Sequence, residues 1–559
     1  MPKNPYAGML FLFLISIGLM QAQVPEINYE ISKIDNDSIS KIKVISSFKP
    51  NENGITKLYY SDRAWGQKDL YKCLESVKVL SEKGKIVKNK DSGWLMIEHP
   101  KKLKEISVEY ILKQDTEKEM EMGKIYRPVI QEEYFHILSH NLFMIPETLD
   151  DIANVSLEWQ NFPKNYTIHN SFGSNRRKQR MENMNLNDFI SAIFLGGDYR
   201  VYPIKIEENN VYYATRGDWM SFQDSQIVGL LSNAIQFQRD FWNDHTQKYF
   251  TVTLSPSAYM ENGSVLQGTS LTNSFQSSAT NNKNTKLEKL TYLFNHELMH
   301  NWIGKIISND NEVEQYWFSE GFTEYYTHKN IAKSKQNDEG VTYFTSELNE
   351  IIAGLYTSEL GEEPNNKITE ENFWGIKEYK DLPYNRGALF AFYLDQKIRK
   401  DSKDKHSLDN LMMDFLNDAR ETGQTISHDY FVKKANKYLD QDLSSFFDNH
   451  IEKGKLLKLA EIFSEFDLNY VKKAKVYDRG FTYSGDFVIE SVNENSEAQK
   501  AGFKKGDIIL EYSIHHDFSE PSVIKISRDG KKQEIAYYPF KEIELVQLET
   551  SQDISKLGL

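Results

Sequence analysis

The pentapeptide HELMH at residues 296–300 constrains this chain more than any other feature. Histidines four residues apart share one face only where the backbone is helical, and there both imidazoles can reach a single zinc ion. Glu297 sits beside them, placed to take a proton from a water held by that metal. The surrounding KLEKLTYLFNHELMHNWIG carries the 3.6-residue apolar period of a helix. A catalytic zinc also needs a third protein ligand and one open position. The segment YWFSEGFTEYYTH, residues 316–328, offers Glu320 on a second helix, with Glu324 one turn further on the same face. Trp317, Phe318, Phe322, Tyr325 and Tyr326 predict that this helix is buried, so a carboxylate on it needs a cation or a hydrogen-bond partner.

Composition narrows the partners. With 559 residues, of which 40% are hydrophobic and 26% charged, the chain is long enough for three to four domains and too apolar for disorder. Its net charge of −14 disfavours phosphate backbones and excludes nucleic acid as the expected partner. The single cysteine, Cys73, allows no intramolecular disulfide, so stability must come from packed cores and metal. Residues 1–22 read as a signal peptide: Lys3 precedes the apolar run Met9 to Met20, and small residues around Ala22 suit cleavage before Gln23. That run is too short to cross a bilayer, and no later segment is long and apolar enough. The expectation is a soluble exported protein, periplasmic or extracellular.

Periodicity divides the rest. Residues 24–222 favour strands, as in SKIKVISSF, GWLMIEH and KEISVEYIL. Residues 223–457 turn helical, as in SQIVGLLSNAIQFQRDFW and RGALFAFYLDQKIRKD, with one strand-like run, KYFTVTLSP. Residues 459–545 return to short strands.

HELMHNW followed by WFSEGFTEYY resembles the gluzincin metallopeptidases, and within them the glycyl aminopeptidase family, which shares EGFT-x-YY. The resemblance implies a multidomain α+β protein. Its parts would be an N-terminal β-sandwich-like domain, a thermolysin-like, mainly helical zinc peptidase domain and a C-terminal PDZ domain. It makes His296, His300 and Glu320 the ligands of one zinc per chain, Glu297 the general base, and Glu324 a carboxylate that orients a ligand histidine. There are 19 residues between His300 and Glu320, one more than in better-known aminopeptidases, which a loop around Asn309–Asn311 can absorb. LPYNRGALFAFYLD resembles the family's Tyr-x-(Lys/Arg)-Gly element and nominates Tyr384 for the oxyanion, with Tyr379 as a fallback.

The substrate side is less determined. Aminopeptidases of this type hold the substrate's free amine with a glutamate on a strand edge upstream of HExxH. Here SPSAYMENGSVLQGTSLTNSF admits two registers. One puts Glu261 in that role. The other lays Gly263 to Ser270 along the edge, with Gln267 replacing the acid and Gly268 and Thr269 facing the substrate backbone. The tail GDFVIESVNENSEAQKAGFKKGDIILEYS resembles a bacterial-protease PDZ domain, with a strand at 487–492 and a carboxylate cradle at Arg479, Gly480, Phe481 and Thr482. An aminopeptidase, an endopeptidase of the same mechanism, and a non-catalytic binder of peptide termini all remain compatible with these residues.

Overall fold

The computed structural model describes residues 24–559, apart from 37–38, 65, 89–92, 118–119, 121–123, 259, 261–262, 336 and 514–519. The signal-peptide reading of residues 1–22 therefore lies outside the described residues.

Alternation of apolar and polar residues builds the N-terminal region. Ile106–Leu112 buries every second residue, and Ile42, Val44 and Phe48 do the same on the neighbouring strand Ile39–Phe48. These strands belong to a six-stranded sheet, accompanied by sheets of four and five strands. Val44, Leu95 and Phe194, one from each sheet, meet in one core with Tyr29, Phe143 and Trp159.

Three histidines in this region, His136, His140 and His169, are buried. Both ring nitrogens of His136 lack a hydrogen-bond partner, while His169 Nε2 meets Thr251 Oγ1 at 2.7 Å across to the next sheet. Burial pushes their pKa values down, to about 4 for His136 and about 3 for His140 and His169. The folded protein keeps them neutral while an unfolded chain binds their protons below about pH 6.5, so stability falls with pH in that window. At pH 5 each contributes a loss of about 2 kcal/mol. The urea midpoint should therefore drop steeply between pH 7.5 and pH 5, and His169→Gln should flatten the slope. An unchanged slope in that variant and in the matching His136 and His140 variants would refute the assignment.

A further sheet has five strands in the order Arg200–Ile206, Asn209–Thr215, Tyr249–Ser257, Ser274–Thr280 and Leu266–Leu271. Its central pairs are parallel, and Leu266–Leu271 runs antiparallel at one edge. The strands at 200–215, which by pattern read with the N-terminal region ending at 222, thus pair with the sheet of the region that follows. Alternation identifies a strand but not the sheet that it joins.

Helices α1 (Asp224–Phe241) and α2 (Leu287–Met299) pack on this sheet through Ile227, Leu231, Leu290, Phe294 and Leu298, against Phe250, Val252 and Phe275. Beyond them lie α3 (Gly321–Lys335), α4 (Asn337–Tyr356) and α5 (Lys377–Ser402), in a core rich in Trp317, Phe318, Phe322, Phe390 and Phe431. No helix among the described residues is long and apolar enough to cross a membrane.

The tail divides differently from its sequence reading. Tyr470–Tyr477 pairs antiparallel with Phe540–Leu548, and this ribbon buries Ala474, Val476, Leu545 and Leu548 in the helical core. Asn349 of α4 clasps it, its amide donating to the Leu548 carbonyl and its Oδ1 accepting the Leu548 N–H, both at 2.9 Å. Between the ribbon strands a separate small core forms around Phe481, Ile489, Phe503, Ile524 and Tyr537. The strand read over 487–492 is shorter, Ile489–Val492, because Phe487 takes a left-handed turn conformation at φ 61° and stands exposed.

Candidate metal centre

Helix α2 brings the HELMH residues to its C-terminal end, with His300 as the capping residue. Gln238 of α1 fixes that end by donating from Nε2 to the Asn295 carbonyl at 2.8 Å. Glu320 closes the short helix Tyr316–Ser319 and immediately precedes α3. The ligand atoms of His296, His300 and Glu320 all lie within 4.8 Å of one another. His296 Nε2 is 3.3 Å and His300 Nε2 is 3.5 Å from Glu320 Oε2.

The opposite ring nitrogens are held from behind. His296 Nδ1 meets Glu324 Oε2 at 3.2 Å, and His300 Nδ1 meets the Ile303 carbonyl at 3.1 Å. A carbonyl accepts only from an N–H, so His300 carries its proton on Nδ1 and turns the Nε2 lone pair to the centre; Glu324 imposes the same tautomer on His296. Glu324 is itself fixed by the Tyr292 hydroxyl at 2.7 Å and by His328 Nε2 at 3.0 Å. His328 Nδ1 in turn reaches the Tyr343 hydroxyl at 3.0 Å. Sequence reasoning missed Tyr292 and His328. Applying the four-residue helical spacing to Glu324 as well as to His296 would have found His328.

The chemistry of the donor set fits a divalent cation. Glu320 Oε2 is buried and makes no hydrogen bond. Burial opposes charge on Glu320, yet the neighbouring His300 and His296 hold its carboxyl well below the usual range. Burial likewise opposes charge on His296, but Glu320 and Glu324 outweigh it and lift its pKa to about 10. Anionic carboxylates around neutral-capable imidazoles call for positive charge at the centre, which zinc supplies while leaving the rings unprotonated. Glu297 is half-buried, and burial raises its pKa.

Tyr384 reaches the same place from α5. Its ring stacks on His296 with centroids 5.8 Å apart and an interplanar angle of 13°. Burial, then the charge of Glu320, keeps its phenol protonated. Two glycines permit this approach: a Cβ on Gly387 would overlap the Trp317 carbonyl, and one on Gly321 would overlap the Gly387 Cα. Gly387→Ala should therefore cost about 1–3 kcal/mol and displace Tyr384, cutting turnover more than zinc content. Equal loss of both, or of neither, would count against this account. Tyr379, the fallback, is half-buried against the helical core, and no contact ties it to the centre.

The edge strand Leu266–Leu271 is tied to α2 by Ser270 Oγ, which donates to the Glu297 carbonyl at 3.0 Å. Gly268 must be glycine because a Cβ there would collide with the Phe275 ring. Gln267 and Thr269 alternate to the face shared with Leu271, which packs beside Met120 and Ile125 of the N-terminal region. Glu261 lies outside the described residues. In the tail, Gly480 adopts φ 75°, but its N–H already donates to Asp478 Oδ1 at 2.9 Å, and Phe481 is buried in the small core. The N–H of one member of the anticipated carboxylate cradle, Gly480, is thus engaged internally.

Residues 234–450 match the peptidase family M1 domain. This stretch is similar to the M1 metallopeptidases, which are zinc enzymes. Among solved structures, an aminopeptidase N family protein from Idiomarina loihiensis is similar at 16% identity and a TM-score of 0.66, over 95% of this chain and 99% of that one. The two share a fold along almost their whole length. A mutant M1 zinc metallopeptidase from Deinococcus radiodurans bound to a Tyr-Ser-Ala substrate is similar at 12% identity and a TM-score of 0.47, over 78% of this chain and 95% of that one. A search of curated protein sequences gives no significant match.

Proposed function

We propose that this chain is an exported zinc metallopeptidase that hydrolyses peptide bonds with aminopeptidase-like action. The observation that carries the reading is the convergence of His296, His300 and Glu320, within 4.8 Å, beside Glu297 and beneath Tyr384. His296, His300 and Glu320 would hold the metal. Bound zinc supplies Lewis-acid activation of water and of the scissile carbonyl. Glu297 takes the proton of the attacking water and delivers it to the leaving amine. Tyr384 donates its hydroxyl proton in a hydrogen bond to the oxyanion. Glu324, braced by Tyr292 and His328, keeps His296 in its ligand tautomer.

Residues 478–539 are proposed as a PDZ-type module that binds a peptide terminus. The left-handed Gly480, the short helix Glu497–Ala501 and the ion pair of Arg528 with Asp507 at 2.6 Å support a compact module of this kind. Export rests on residues 1–22, and sequencing the secreted protein should find Gln23 at its amino terminus.

Digestion of a peptide library tests the central reading. Hydrolysis should disappear after dialysis against a chelator and return with about one equivalent of zinc. Activity indifferent to the chelator would overturn it.

A further inference from the structure

Arg386 carries a guanidinium held almost wholly out of water. It lies on α5 directly before Gly387 and two residues after Tyr384, and it is 5% exposed. Its Nη2 donates to the Glu363 carbonyl at 2.6 Å and to the Gly361 carbonyl at 3.3 Å. Its Nη1 is buried and has no hydrogen-bond partner. Among the described residues no carboxylate comes within ion-pair distance of it. The backbone is shaped to admit this group: Gly454 takes φ 70°, and a Cβ there would stand 2.7 Å from Arg386 Nη2 and 2.5 Å from the Glu363 carbonyl oxygen.

Beside the guanidinium lies a narrow cavity of about 10 Å³, lined by Arg386 and Gly454 and by the apolar side chains of Leu355, Leu389, Phe390 and Leu457. That volume holds one particle the size of a water molecule. No acidic residue among the described residues lines it. A buried cation without a counter-charge is costly, and neutral carbonyl oxygens offset only part of the cost. Burial pushes the Arg386 pKa down to about 10, against the opposing charges of Glu363 and Glu452. Glu452 is itself paired with His428 Nδ1 at 2.7 Å. A water molecule at Nη1 would accept the hydrogen bond and leave the charge uncompensated. A monatomic anion accepts the same N–H and also neutralises the guanidinium, whereas a phosphate or a carboxylate needs more room than one water.

We propose that this cavity is a halide site, in which one chloride ion accepts the hydrogen bond of Arg386 Nη1. With the charge of the guanidinium balanced, its other nitrogen holds the chain at 361–363, and α5 is fixed against the turn at Gly454. Tyr384 and Gly387 stand on the same helix, so the ion steadies the segment that packs against Trp317 and Gly321. Chloride binding is a property of the folded chain and holds whether or not the chain hydrolyses peptides.

Two measurements on the full chain test the site. In the first, thermal melting of wild type and of Arg386→Gln is followed as chloride replaces gluconate, an anion too large for the cavity, at constant ionic strength. Wild type should melt about 2–5 °C higher in chloride at about 200 mM, and bromide should act in the same way. Arg386→Gln, which keeps a polar side chain without its charge, should show no such rise. No rise in wild type, or an equal rise in wild type and variant, overturns the site. The second measurement uses wild type alone and so decides the matter even where the variant does not fold. Crystals soaked in bromide should show an anomalous peak within hydrogen-bond distance of Arg386 Nη1. A water at that place without anomalous signal, in crystals that show bromide elsewhere on the molecule, overturns the proposal.

Discussion

Glu297→Gln is expected to abolish most hydrolysis while leaving fold and zinc content intact. The substitution keeps the shape of the side chain and removes only its ability to take and return a proton. Because Glu297 is not among the three clustered ligand atoms, the metal site should survive. A positioned general base contributes roughly a hundred- to ten-thousand-fold, and kcat should fall by that order with little change in KM. Circular dichroism and elemental analysis of the same preparation would show that nothing else was lost. If the variant turns over at the wild-type rate, the base is another group. If wild type and variant are equally inert across a broad peptide library, the chain is better read as a binder of peptide termini.

His296→Ala should empty the centre. Wild type should carry about one zinc per chain and the variant close to none, because two remaining ligands cannot hold the ion against competing water. The loss extends beyond the ligand itself. His296 stands between Glu320 and Glu324, at 3.3 and 3.2 Å, and its removal leaves two buried carboxylates without the group that separates them. Breaking a buried charged constellation by deleting one member costs about 3–5 kcal/mol, so the variant should also melt earlier than zinc-free wild type. Full zinc occupancy in the variant would sink the ligand assignment.

The convergence of His296, His300 and Glu320 was legible because it is written in local spacing. HELMH forces one helix face, and Glu320 and Glu324 ride a helix whose aromatic residues announce burial. The supporting residues were less visible because they are contributed across space: Tyr292 lies one turn before His296, and nothing in its neighbourhood marks it as the donor to Glu324. The strands at 200–215 carry the same alternation as their predecessors, and only their pairing with Tyr249–Ser257 shows which sheet they complete. The hydrogen bond from the Tyr126 hydroxyl to the Gly268 carbonyl, at 3.2 Å, was invisible for a stronger reason: the two lie 142 positions apart, and no periodicity in either segment encodes their meeting.

The ribbon Tyr470–Tyr477 and Phe540–Leu548 makes the small tail core a cassette spliced into a hairpin. Tyr477 lies opposite Phe540, and Asp478 N–H bonds the Pro539 carbonyl at 2.9 Å, so the chain leaves and re-enters side by side. Residues 478–539 could be exchanged for a tight turn without opening the helical core, whereas truncation at Tyr470 would strip Ala474, Val476, Leu545 and Leu548 from it. Such an architecture lets the inserted module be gained, lost or replaced while the helical body keeps both of its closing strands.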